Sequence, residues 1–350
     1  MKVFTFFSAI LFVFTSYSFS QEYPIYPTGD IKSLSASDIK EHEKKGGFYN
    51  EFWNYHIALE NGSEIYLTYS INHFGGLRNA VSGARMSLLN WNGKNYSAAR
   101  EYDLEKLVFE EEPYRFMLNT ERGIWFEGKL PDEHKVHFRT NKNGTHFDIN
   151  LDFIDAMDGF TWGDGIFDLD ENNELALFTH IPFSKISGFI ALDYDTVEIK
   201  GIGFMNHTYQ TNVGTRLFEK SFKYIHSENG NYAAGYFLIP KDNESKVVGY
   251  AFEGTGNEIT LKKPISVQVQ STDTFLGEKI SERIKICYES SPCEILEIET
   301  MYEKIAMLEE LGGIKKMLAK RFLGGDIIEL RGSAKRNGNE NVFYSLTKLD

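Results

Sequence analysis

Five Asn-Gly pairs, Asn61-Gly62, Asn92-Gly93, Asn143-Gly144, Asn229-Gly230 and Asn337-Gly338, punctuate the chain. This pair tolerates positive φ at both positions and so selects the tight turn whose twist matches two antiparallel strands. The flanking segments are aromatic, β-branched or alternating. "FWNYHIAL" runs into the first pair and "EIYLTYSI" out of it, "KVHFRTN" and "THFDINLDF" flank the third, and "FEKSFKYIHS" and "NYAAGYFLIP" flank the fourth. A chain punctuated in this way is all-β, built of antiparallel barrels or sandwiches. One late segment departs from the pattern. "TMYEKIAMLEELGGIKKMLAKRF" spaces Met301, Ile305, Leu308 and Leu311 at helical intervals, which predicts a helix over about 298–321.

A length of 350 residues suits two domains, and 28 Phe with 19 Tyr provide ample apolar area for their cores. The segment "DAMDGFTWGDGIFDLDENNE" is rich in Asp, Gly and Asn and reads as an interdomain loop, with domains over 21–178 and 179–350. Asp168, Asp170 and Asn172 share the first three ligand spacings of a calcium loop. The match ends there, because Asn173 stands where glycine is needed and Thr179 where glutamate is needed. The net charge of −13 excludes nucleic acid as a partner, since phosphate binding requires a basic face.

Residues 1–20 read as an export signal. Lys2 precedes the apolar run Val3–Phe14, and "SFS" before Gln21 fits a small-x-small cleavage site. The run is too short to span a bilayer, and no later segment qualifies. The expected location is therefore the periplasm or the exterior. Cys287 and Cys293 in "CYESSPC" are either a disulfide closing a short turn or two half-buried thiols.

Motifs that carry chemistry are few. The chain has no nucleophile elbow, phosphate loop, dinucleotide fingerprint or H-E-x-x-H. His134 and His137 in "HKVH" point to opposite faces of a strand and read as surface histidines. Neither a metal site nor a cofactor is marked. The exception is "GIGFMNHTYQ", Gly201–Gln210. Strand alternation places Phe204, Asn206, Thr208 and Gln210 on one face, and Met205, His207, Tyr209 and Thr211 on the other. A histidine between a methionine and a tyrosine suits an apolar cavity holding one titratable group.

This motif resembles the G-x-G-Y-x-D-H-x-W signature of the tandem-lipocalin superfamily, which comprises carotenoid 1,2-hydratases, AttH-like proteins, kievitone hydratase and the yeast survival-factor proteins. "EFWNYHIALENGSEIYLTYSI" is similar to that family's E-W-W-Y-F start, and "IPFSKISGFIALDYDTVEIKG" to the strand that opens its second half. The resemblance implies two consecutive lipocalin-like (calycin) antiparallel β-barrels with a C-terminal helix and an apolar cavity near their junction. Asn206 stands where hydratase-type members carry Asp, Tyr209 where they carry Trp, and Gln210 where they carry Gly. The His207–Gln210 spacing is instead similar to the survival-factor branch.

Two functions follow. The first is an exported protein that binds a hydrophobic or amphipathic small molecule, lipid or isoprenoid-like, through Trp53, His56, Met205, Asn206, Gln210 and Arg216. The alternative is a hydratase or cyclase acting on an isoprenoid-like or polyketide-like alkene. It would use His207 and Tyr209 as catalytic groups, with Asp168, Asp193 or Asp195 as the acid.

Overall fold

The computed structural model describes residues 26–350 apart from 43–46, 76–77, 113, 120–122, 194, 242–246, 276–277, 307, 309–316, 318–319, 322–324 and 350. Residues 1–20, read as an export signal, lie outside the described residues. All five Asn-Gly pairs fall between paired strands. At four of them both residues are left-handed, as at Asn143 (φ 52°) and Gly144 (φ 86°). At Asn61-Gly62 only the glycine is (φ 80°), and the Asn61 side chain accepts the Ser63 N–H instead.

The strands form two large antiparallel sheets, each curled on itself into a near-closed barrel. The main path of the first sheet runs, edge to edge, through Lys94–Asp103, Val81–Trp91, Glu64–Asn72, Asn50–Leu59, Asp195–Gln210, Glu174–Leu192 and Thr145–Ile154. It then continues through Glu133–Lys142, Ile124–Lys129, Tyr114–Met117 and Val108–Glu111. The second runs through Glu258–Lys262, Val248–Thr255, Asn231–Pro240, Phe218–Glu228, Glu340–Leu349, Ile327–Arg336, Glu294–Ala306, Glu278–Tyr288 and Pro264–Phe275. The sheets divide between Gln210 and Phe218, so the expected boundary at 178/179 falls inside the strand Glu174–Leu192. The acidic segment does not link the barrels. Its short strands Phe160–Trp162 and Ile166–Asp168 pair onto Glu174–Leu192 within the first sheet.

Apart from a small cluster of Tyr49, Ala176, Phe178 and Tyr209, buried apolar side chains collect in three layers. Trp53, Phe116, Phe126 and Phe138 fill the first barrel, and Phe222, Phe237, Ile286 and Leu330 fill the second. Phe160, Phe204, Ile225, Tyr250 and Phe252 pack between them. Hydrogen bonds cross the same interface, from Tyr66 Oη to the Tyr344 carbonyl (3.1 Å) and between Thr179 and Tyr250 (2.9 Å).

Two expectations are corrected. Residues 298–306 are strand, not helix. They belong to Glu294–Ala306, which pairs with Ile327–Arg336, and only Met317, Lys320 and Arg321 are helical among the described residues further on. Bulges at Ile298/Thr300 and Met301/Glu303 each add a residue and shift the alternation, so Met301 packs against the second barrel's core while Ile305, opposite Glu329, falls on the other face, and the apolar spacing no longer reads as a strand. His134 is not on the surface. It is buried against Tyr55 Oη at 2.8 Å, whereas His137 on the opposite face meets Asp148 at 2.7 Å. Cys287 and Cys293 form a disulfide. No helix among the described residues is long and apolar enough to cross a membrane.

The first glycine of the motif is explained by close strand approach. A Cβ at Gly201 would lie 2.3 Å from the Ala58 carbonyl oxygen on the neighbouring strand. Because backbone cannot swing aside, Gly201→Ala is expected to cost about 2 kcal/mol in urea unfolding. A change below 0.5 kcal/mol, roughly the scatter of surface substitutions, would show that the strands part freely there.

Candidate functional site

Two polar sites sit back to back on the strands Asn50–Leu59 and Asp195–Gln210, which pair with His207 opposite Trp53 and Asn206 opposite Asn54. Alternation divides their side chains. Glu51, Trp53, Met205, His207 and Tyr209 belong to the first barrel's side, while Asn54, His56, Phe204 and Asn206 face the second barrel.

Inside the first barrel, the fully buried Glu51 and His207 share a hydrogen bond of 2.8 Å between Oε1 and Nε2. The same oxygen receives the backbone N–H of His42 (2.9 Å) and lies 3.0 Å from His42 Nδ1. His180 Nε2 approaches His207 Nδ1 at 3.4 Å. His180 falls at a break in strand register between Thr179 and Ile181, and this irregularity turns it towards His207 while Thr179 faces Tyr250. Trp53 stacks on His207 at 4.6 Å and donates its indole N–H to the Ile39 carbonyl. Tyr209 packs 4.9 Å from the His42 ring. Burial alone would raise the Glu51 carboxyl, but the bonds from His207 and His42 hold it below the ordinary carboxylate range. Burial outweighs the Glu51 contact at His207 and lowers its pKa, so the imidazole is neutral.

Between the barrels lies a cavity of about 90 Å³. Its apolar wall includes Leu177, Ile181, Phe204, Ile225 and Phe252, and its polar side includes His56, Asn206, Lys223, Glu329 and Arg331. Burial pushes Lys223 down to about 8, which leaves it a protonated donor at neutral pH. Arg331 pairs with Glu329 (2.9 Å) and Glu303 (3.4 Å) and lies over the Tyr66 ring. Despite burial, the charge of Arg331 helps to hold Glu329 down to about 2. His56 Nε2 meets Glu64 Oε2 at 3.0 Å, and its ring stacks on Tyr66. Burial pushes Glu64 well above, and His56 well below, their ordinary values, which favours the protonated carboxyl and the neutral imidazole.

Of the sequence-predicted residues, His56 and Asn206 line this cavity, and Met205 borders it although its side chain packs into the first barrel's core. Trp53 and His207 are buried together on the first barrel's side, and Tyr209 is buried in a separate small cluster with Tyr49, Ala176 and Phe178. Gln210 ends its strand beside Gly214, and Arg216 stacks over Phe48 in the short helix Gly214–Leu217. Asp168, Asp193 and Asp195 are exposed. Sequence reasoning missed Glu51, His42, His180, Glu64, Lys223 and Arg331. Only Glu51 carried a signal, because it heads the segment that resembles the family's start.

The sequence matches no protein-family model and no curated protein. Solved structures are similar over nearly the whole chain. An AttH-like protein from Nitrosomonas europaea superposes with a TM-score of 0.63 at 11% identity, covering 93% of this chain and 98% of that one. CghA with Sch210972 gives 0.62 at 10% identity, with 94% and 96% covered. Kievitone hydratase from Nectria haematococca gives 0.53 at 10% identity, with 93% and 98% covered. The chain thus has the fold of two consecutive lipocalin-like β-barrels shared by these proteins, as its sequence resemblance implied.

Proposed function

We propose that the protein binds an amphipathic small molecule with an oxygen-bearing, anionic or carbonyl end in the cavity between its barrels. The observation that carries this reading is the pairing of an apolar wall with a polar side on which Lys223 stands beside the Arg331–Glu329 ion pair, in one cavity. At about 90 Å³ the cavity takes a fragment smaller than benzene before any side chain moves. A lipid-sized ligand makes room by displacing the rings on the apolar wall. The test is uptake from a panel of fatty acids, isoprenoid acids and their hydrocarbon analogues, read by native mass spectrometry. Lys223→Met is expected to weaken acid binding by about tenfold and leave hydrocarbon uptake unchanged. Equal loss for both classes contradicts the cationic recognition.

A second reading is favoured by the His56–Glu64 pair, a proton donor in series with an imidazole at the cavity wall. It is the hydration of an alkene, for which the fold similarity to kievitone hydratase provides support by analogy alone. Lys223 and Arg331 disfavour a carbocation and favour a developing oxyanion, which points to an alkene conjugated to a carbonyl. Water adds at the β-carbon as neutral His56 accepts its proton, the cationic side chains stabilise the enolate, and the His56 imidazolium, hydrogen-bonded to Glu64, returns that proton to the α-carbon. In this reading His56→Gln abolishes turnover with affinity nearly unchanged. Retained turnover removes His56 from the chemistry.

Export is part of the same proposal. The disulfide Cys287–Cys293 suits an oxidising compartment, and the protein recovered from its host is expected to begin at Gln21. An intact mass that includes residues 1–20 contradicts this.

A further inference from the structure

We propose that His42, Glu51 and His207, inside the first barrel and on the far face of the strands from the junction cavity, form a binding site for a divalent transition-metal ion, with zinc the best match. His42 Nδ1, His207 Nε2 and a Glu51 oxygen all lie within 4.8 Å of one another. Tetrahedral zinc holds its nitrogen and oxygen ligands at about 2.0–2.2 Å, hence roughly 3.4 Å from each other. The Glu51 Oε1 separations of 2.8 Å to His207 and 3.0 Å to His42 therefore need only a few tenths of an ångström of expansion to admit an ion.

The carboxylate supplies an independent sign. Glu51 is fully buried, and its Oε1 takes all three donors from the two histidines while Oε2 has no hydrogen bond. Tyr49 brings its buried phenol towards the same carboxylate without closing a bond of normal geometry. A buried carboxylate with one oxygen bare is short of a cation. Two imidazoles and one carboxylate match the donor set of three-ligand zinc sites and are a poor match for calcium or magnesium, which take oxygen throughout.

The surroundings orient the ligands. Trp53 stacks on His207 and His180 stands behind its Nδ1, while Phe178 lies parallel to the His42 ring at 5.3 Å. Such backing fixes ring orientation before an ion arrives. The cluster comes nearest to solvent at His42, whose side chain is 30% exposed, against 0% for Glu51 and His207.

The test is zinc titration of the untagged protein after chelator treatment, by competition with a chromophoric chelator and by thermal unfolding. The wild type is expected to take up one equivalent and to rise in Tm with zinc concentration. His42→Ala sits at the exposed edge, and its affinity should fall by about 100-fold. His42→Gln, which can still donate a hydrogen bond to Glu51 but is a poor ligand, should fold like the wild type and show the same loss. His137→Ala alters a separate His–Asp pair and should bind as the wild type does. Folded wild type that takes up no zinc overturns the proposal, and so does uptake that is equal in the wild type and both His42 variants.

Discussion

Acidification from pH 7.5 to pH 5 is expected to cost the fold more than 2 kcal/mol, before ordinary carboxylates titrate. The cause is a set of histidines buried in neutral form. Burial pushes His134 down to about 3, and it also depresses His56 and His180, at His180 with the neighbouring histidines acting in the same direction. The unfolded chain binds a proton on each near pH 6.5, whereas the folded chain does not. Their contribution is therefore complete above pH 6.5 and is lost as pH falls through 6.5 towards the folded values. For His134 alone the loss at pH 5 is about 2 kcal/mol, from roughly 1.4 kcal/mol per pH unit. His56 and His180 add to it against a total stability on the order of 5–15 kcal/mol. Glu51, held below the carboxylate range, brings a further loss once pH drops below its unfolded value. Urea unfolding at the two pH values measures the effect, and His134→Gln should flatten the slope by about one proton. A difference below 1 kcal/mol would mean that water reaches these rings.

Replacing Trp53 with alanine is expected to cost about 3–5 kcal/mol, the range for large aromatics removed from a packed core. Trp53 is fully buried, packs against Phe116 at 4.8 Å and His207 at 4.6 Å, and satisfies the Ile39 carbonyl. Its removal leaves a cavity, an unpaired acceptor and an imidazole free to tilt. The alternative role suggested by its sequence context, a contact with bound ligand, would give a mild stability change and a large affinity change. Urea unfolding with ligand titration on the same variant separates the two. A stability loss under 1 kcal/mol would place Trp53 at a cavity wall.

What was legible in the sequence was local. The Asn-Gly turns depend on two residues and their flanks, so the antiparallel strands around them could be located directly. The two faces of Gly201–Gln210 follow from a period of two and hold in the structure. The helix over 298–306 was misread because bulges alter that period without altering composition. The partners of His207 were invisible for a different reason. Glu51 lies 156 residues away and His180 lies 27 residues away, and only strand pairing brings them to it. Lys223 and Arg331 come from the other sheet altogether, and no spacing in the chain records a contact between barrels.

The apolar layer between the barrels has a consequence for how this chain can be divided and altered. Phe160 and Phe204 from one half meet Ile225, Tyr250 and Phe252 from the other in a layer as greasy as either interior. A fragment ending at Gln210 would present that layer to water and to other copies of itself, inviting aggregation. Each half is thus the solubilising partner of the other. Drift at the shared face is restricted to changes that both tolerate together, whereas turns at the far ends are free to lengthen, shorten and diversify.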